Sequence, residues 1–169
     1  MDATPYLVEI ADALEKSTLE AILIGNAGAA LHGAPVTTVD FDFLYRASKT
    51  NEAKVRRLAE VLGGALIQTF PTLSTVYRIQ RVSPELQVDM TSQIHGASSF
   101  NSLRSRSKRI LIEGRTIMVA SLADIIKSKK EANRPRDLAV LHVLEKTLEE
   151  SGEEAHDAGG EARSNARGK

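Results

Sequence analysis

No stretch of this chain restricts its fold more than residues 38–45, Thr-Val-Asp-Phe-Asp-Phe-Leu-Tyr. The run alternates with period two, the signature of a strand with two unlike faces. Val39, Phe41 and Phe43 are expected on one face, and Asp40 and Asp42 on the other. Two carboxylates pointing the same way, only several ångströms apart, repel. Either one holds its proton more tightly or a cation compensates. Mg²⁺ or Mn²⁺ would suit, because hard cations take oxygen ligands, often one or two carboxylates together with substrate phosphates. Asp89, in Leu-Gln-Val-Asp-Met-Thr, is a third carboxylate flanked by apolar strand residues. Three strand-borne carboxylates facing one point would suit two metals about 4 Å apart, clamping a phosphoryl transfer. The same pattern also fits the wet face of an edge strand.

What precedes the aspartates bears on that choice. Glu20-Ala-Ile-Leu-Ile-Gly25 is a short apolar strand ending in glycine, and Asn26–Gly33 suits a short helix. A helix start at that point would offer free N–H groups to a phosphate, and glycine would let a ligand approach the backbone closely. Elsewhere, Thr4-Pro5 reads as a cap and first turn, followed by Leu7, Ile10 and Leu14 at helical spacing. Residues 50–64 form an amphipathic helix with Thr50 or Asn51 as cap. Three β-type runs follow at 65–70, 74–81 and 86–92, then a polar stretch over 92–107. Residues 109–121 read as a hairpin turning at Gly114-Arg115. Ser121 caps a helix, and another starts near Pro135 and ends near Glu149. Helices and strands mix without strict alternation, which predicts one α+β domain over residues 1–149, a mixed sheet flanked by helices with a helical C-terminal end. Residues 150–169 lack large apolar side chains and are expected to be a disordered acidic and polar tail.

Composition narrows the function classes. Lys plus Arg and Asp plus Glu number 22 each in 169 residues, so no global charge marks a nucleic-acid or membrane partner. There is no cysteine, which excludes a disulfide framework and thiolate chemistry. The N-terminus is acidic where a signal peptide is basic, and no run approaches the roughly 20 apolar residues of a membrane span. The expectation is a cytoplasmic protein with no membrane partner. Charge is uneven locally. Residues 102–109, Ser-Leu-Arg-Ser-Arg-Ser-Lys-Arg, are the best nucleic-acid candidate, although a solvated basic loop reads the same way. The four histidines show no metal-ligand spacing, and a Walker-type loop is absent. His32 suits either a helix-end cap or a ligand contact.

Taken together, Ile24-Gly25-Asn26, a spacer, and Asp40-Phe41-Asp42-Phe43 resemble the signature of the DNA polymerase β-like nucleotidyltransferase superfamily. The chain is most similar to the small bacterial branch related to abortive-infection, toxin-type nucleotidyltransferases. Gly25, Ala27, His32-Gly33, Thr38, Asp40 and Asp42 match one motif of that branch. Ala-Asp-Ile-Ile-Lys-Ser-Lys-Lys-Glu-Ala-Asn-Arg-Pro-Arg-Asp, residues 123–137, matches the other, with Lys129 and Asp137 at the corresponding positions. The resemblance implies a mixed-sheet nucleotidyltransferase core moving a nucleoside monophosphate from a nucleoside triphosphate to an acceptor hydroxyl. It implies Asp40, Asp42 and Asp89 as metal ligands, with Lys129 and Asp137 completing the catalytic set. Gly25, Asn26, Thr38, Lys129 and Arg136 would contact the nucleotide. A tRNA 3′ end or a protein hydroxyl would be the acceptor, and an antitoxin a partner. Three positions depart from the pattern: Asn26 replaces a second Gly or Ser, Val36 an Arg, and Val140 a second acid. A catalytically inactive nucleotide- or nucleic-acid-binding module on the same fold is the alternative.

The distal motif also has a physical reading. Leu122, Ile125, Ile126 and Lys129 fall on one helical stripe, so Lys129 continues an apolar face while Lys127 and Lys130 point elsewhere. Such a lysine either snorkels out to water or meets an anion. Asp137 lies in the first turn of the next helix, where it would also complement the helix dipole.

Overall fold

A computed structural model describes residues 3–69, 76–97 and 99–152. Helix α1 (Thr4–Lys16) carries Pro5 in its first turn, where the missing N–H is no loss, and buries Leu7, Ile10, Ala11 and Ala13. Its cap is Ala3, one residue earlier than the Thr4 expected. Strand β1 (Ala21–Ile24) is buried at every position, as a central strand must be. Helix α2 (Gly25–Leu31) follows without a loop. Strand β2 (Phe41–Tyr45) then leads to helix α3 (Lys49–Leu62). The α3 cap is Ser48, whose hydroxyl accepts the Asn51 N–H, rather than Thr50 or Asn51. Strands β3 (Ala65–Thr69), β4 (Val76–Val82) and β5 (Glu85–Thr91) form a meander. The polar stretch holds helix α4 (Phe100–Arg106). Strands β6 (Lys108–Ile112) and β7 (Arg115–Val119) form the expected hairpin. Its turn is Glu113–Gly114, one residue earlier than read, with positive φ at both positions (45° and 80°), as a tight primed turn requires. Helix α5 (Leu122–Ala132), capped by Ser121, and helix α6 (Pro135–Ser151) complete the described residues. Helix α6 runs to residue 151, so residues 150 and 151 of the expected tail are helical, while 153–169 lie outside the described residues.

Among the described residues the strands form one mixed sheet of seven, in the order β3-β4-β5-β2-β1-β7-β6. The α+β expectation with a mixed sheet and C-terminal helices holds. Strands β2 and β5 run parallel, as do β1 and β7, and the other neighbours are antiparallel. Helices α1 and α3 cover one face, where Leu7, Ile10, Val55 and Leu58 meet Phe41, Phe43, Tyr45, Ile79 and Val88. Helices α2, α4, α5 and α6 contribute to the core on the other, where Leu103, Ile125, Ile126 and Leu144 meet Ile22, Ile24 and Leu44. No helix among the described residues is long and apolar enough to cross a membrane.

One face assignment is corrected. Val39 is 78 % exposed and does not share the core face of Phe41 and Phe43. Strand pairing of β2 with β5 begins at Phe41, opposite Val88, so the two-residue alternation does not extend back to Val39. Asp40 therefore sits in a bend at the mouth of the strand rather than within it.

Candidate active site

The site lies where β1 ends and β2 begins. Ile24 pairs with Asp42 across the antiparallel β1–β2 ladder, Asp42 with Asp89 across the parallel β2–β5 ladder, and Asp89 with Arg78 across the antiparallel β4–β5 ladder. Register alone thus sets Asp42, Asp89 and Arg78 in one row on one face of the sheet. Asp40 joins them from the bend. One carboxylate oxygen from each of Asp40, Asp42 and Asp89 lies within 4.8 Å of the others.

Two local devices hold this arrangement. Gly25 adopts φ +67°, a left-handed conformation, and a Cβ there would stand 2.5 Å from Asp42 Oδ2. Glycine is needed for both reasons, which explains its place directly after the strand. Thr38 donates its hydroxyl to the Asp40 carbonyl at 2.6 Å, with Asp40 Oδ1 at 3.2 Å. The Thr38 side chain thus fastens the bend that carries Asp40.

The electrostatics are uneven. Burial and the neighbouring charges of Asp40 and Asp89 push the Asp42 carboxyl up to about 6, against the opposing pull of Lys129 and Arg136. Asp89 has its own counter-ion, because Arg78 donates to both its oxygens at 2.8 Å, a bidentate pair. Gln87 adds a longer bond to Asp89 Oδ2 at 3.3 Å. Hydrogen bonds to Asp89 raise the Arg78 guanidinium above its usual value, opposed by desolvation, and Asp89, Asp40 and Asp42 add their charges. Arg78 was not singled out from the sequence.

Across the cleft stand α5 and α6. Their junction turns at Asn133 in a left-handed conformation and restarts at Pro135. This brings the last turn of α5 against the first turn of α6, and Lys129 Nζ donates to Asp137 Oδ1 at 3.0 Å with both side chains buried. Lys129 shares its buried stripe with Leu122, Ile125 and Ile126, and the anion it meets within the chain is Asp137. Lys130 points away and pairs with Glu145. Arg134 and Arg136 are exposed on the cleft and form no ion pair among the described residues. The cleft itself measures about 620 Å³, and Gly25, Asn26, Asp40, Asp42, Asp89, Arg78, Lys129, Arg134, Arg136 and Asp137 all contribute to its wall.

The donor set of three carboxylates suits a hard divalent cation. Asn26 lines the same cleft, and its Oδ1 is buried without a hydrogen-bond partner among the described residues. The Asn26 amide nitrogen reaches the Thr37 carbonyl only at 3.5 Å. Other sequence candidates fall outside the cleft. His32 Nε2 donates to the Ala120 carbonyl (2.8 Å), ending α2 and tying it to the chain after β7. Burial lowers its basicity. Within the basic run 102–109, Arg104 pairs with Glu20, and Arg106 grips Asp124 through both carboxylate oxygens. Those two charges serve packing between elements.

No family model matches the sequence, and no curated protein matches it. Solved structures do resemble the fold. The antibiotic-resistance factor ANT(2″)-Ia in solution superposes with a TM-score of 0.61 at 14 % identity, over 90 % of this chain and 86 % of that one. The lincosamide antibiotic adenylyltransferase LnuA, lincomycin-bound, gives 0.58 at 10 % identity, over 87 % and 98 %. An antigenic nucleotidyltransferase-like protein from Paracoccidioides brasiliensis gives 0.54 at 13 % identity, over 88 % and 76 %. The architecture of this chain is that of the nucleotidyltransferase fold.

Proposed function

We propose that this chain is a Mg²⁺- or Mn²⁺-dependent nucleotidyltransferase of the toxin-type bacterial branch. The observation that carries the proposal is the convergence of Asp40, Asp42 and Asp89 within 4.8 Å, opposite Lys129, on a cleft beside Gly25, whose left-handed backbone and contact with Asp42 disfavour any side chain. In the reaction an acceptor hydroxyl attacks the α-phosphorus of a nucleoside triphosphate. A new oxygen–phosphorus bond joins the monophosphate to the acceptor, and pyrophosphate leaves. Asp40, Asp42 and Asp89 would hold the cation. When bound, it neutralises charge on the transferring and leaving phosphates. Gly25 and Asn26 let the phosphates approach the backbone. Lys129, held by Asp137, and Arg136 face their negative charge. Thr38 acts by fixing Asp40. Asp89 takes the proton of the acceptor hydroxyl.

The acceptor in this proposal is a tRNA 3′ end or a protein hydroxyl, with an antitoxin as partner and the cytoplasm as the place of action. The resemblance to the toxin-type branch supports these elements. Arg134 and Arg136, exposed on the cleft, favour an anionic acceptor over a cationic one such as tobramycin, whose adenylylated form is bound by ANT(2″)-Ia. A second reading, a nucleotide-binding module without turnover, draws on Asn26 at the glycine or serine position and on the Asp89–Arg78 pair.

Labelled nucleoside triphosphates with Mg²⁺ and total tRNA separate the two. Pyrophosphate release and label on RNA, both abolished by Asp40→Ala, support the transferase. Binding without release supports the second reading, and no nucleotide binding at all overturns both.

A further inference from the structure

Asp89 differs from its two partners. Asp40 and Asp42 face the cleft without an ion pair among the described residues, whereas Asp89 is gripped at both oxygens by Arg78. The pair is built by strand register, since Arg78 and Asp89 are direct cross-strand neighbours on one face. It is also asymmetric. The Asp89 side chain is 13 % exposed, but that of Arg78 is 40 % exposed and lines the open cleft. The carboxylate is the fixed member and the guanidinium the one free to leave.

Resting on the transferase reading above, we propose that Arg78 is a positioning residue that competes with the divalent cation for Asp89. It clamps the third carboxylate in the empty cleft and releases it when cation and triphosphate enter together. A guanidinium and a divalent cation cannot both sit close against one carboxylate without repelling each other. Released, the guanidinium needs another anion, and the triphosphate is the one the reaction supplies. Asp89 thus exchanges Arg78 for the cation most readily when nucleotide is present. Binding of cation and nucleotide becomes mutually favourable, a reciprocal coupling through one side chain.

The test measures Mn²⁺ binding by calorimetry to the whole protein, with and without a non-hydrolysable nucleoside triphosphate. Arg78→Met keeps the packing of the stem and removes the charge, and Arg78→Lys keeps the charge without the fork. Without nucleotide, Arg78→Met is expected to bind Mn²⁺ roughly tenfold more tightly than the native chain. The gain in Mn²⁺ affinity on adding nucleotide should shrink correspondingly. Arg78→Lys should lie nearer the native chain. A residue that only ties β4 to β5 would leave the Mn²⁺ isotherm unmoved while lowering Tm, and that result overturns the proposal. Unchanged affinity in Arg78→Met, with native binding intact, overturns the role of Arg78 and spares the metal site. No Mn²⁺ binding by any of the three proteins overturns both.

Discussion

Two ion pairs face each other across the cleft, and they are built oppositely. Lys129–Asp137 joins two helices at 3.0 Å, with side chains 11 % and 13 % exposed. Arg78–Asp89 joins two strands at 2.8 Å, and its cation is 40 % exposed. The first lies on an apolar stripe, where each charge has lost its water and depends on the other. The second keeps its cation half in solvent, where water can replace the partner. A buried pair is therefore a fixed part of the wall, costly to break, whereas a half-exposed pair can be exchanged at little cost. The helical side of the site is rigid by construction, and the strand side can respond to a ligand.

The sharpest way to break this contrast is Asp137→Ala. It strands a buried ammonium and is expected to lower the unfolding free energy by about 3–5 kcal/mol, read from a denaturant midpoint. Replacing both members, Lys129→Met with Asp137→Leu, should restore much of that stability. Asp42 gives the next largest effect, with the opposite sign. Its folded-state carboxyl titrates at about 6, raised from 3.8, so its contribution to stability is full below about pH 4 and is lost as pH rises through 6. Asp42→Asn should therefore stabilise the metal-free chain at pH 7 by up to about 2 kcal/mol, its partial exposure trimming the full shift. The same titration should weaken Mn²⁺ binding as pH falls below about 6. Gly25→Ala comes third, at roughly 1–3 kcal/mol, because it forces alanine into a left-handed backbone and against the Asp42 carboxylate. Smallest is Arg78→Met, expected to change the unfolding free energy by less than about 1 kcal/mol. A loss matching that of Asp137→Ala would erase the distinction between the two pairs.

Legibility in the sequence followed the range of the interactions. Asp40 and Asp42 stood out because a two-residue period is local, and Asp89 because apolar neighbours flank it. Lys129 was readable from a single helical stripe. Arg78 needed something longer-ranged. Its partner follows only from the β4–β5 hairpin register, where Val82 faces Glu85 and counting back brings Arg78 opposite Asp89. Arg104 and Arg106 read as a basic surface because Glu20 and Asp124 lie 84 and 18 residues away. Val39 failed for the reverse reason. The alternation in sequence was real, but strand pairing began two residues later. The sheet order, with β1 between β2 and β7, depends on non-local pairing that no local pattern encodes.

The most direct test of the central claim is a crystal structure with Mg²⁺ and a non-hydrolysable nucleoside triphosphate. The expected result is a cation ligated by Asp40 and Asp42, with the triphosphate passing Gly25 toward Lys129. A nucleotide bound elsewhere, or bound here with those two carboxylates ligating nothing, would contradict it.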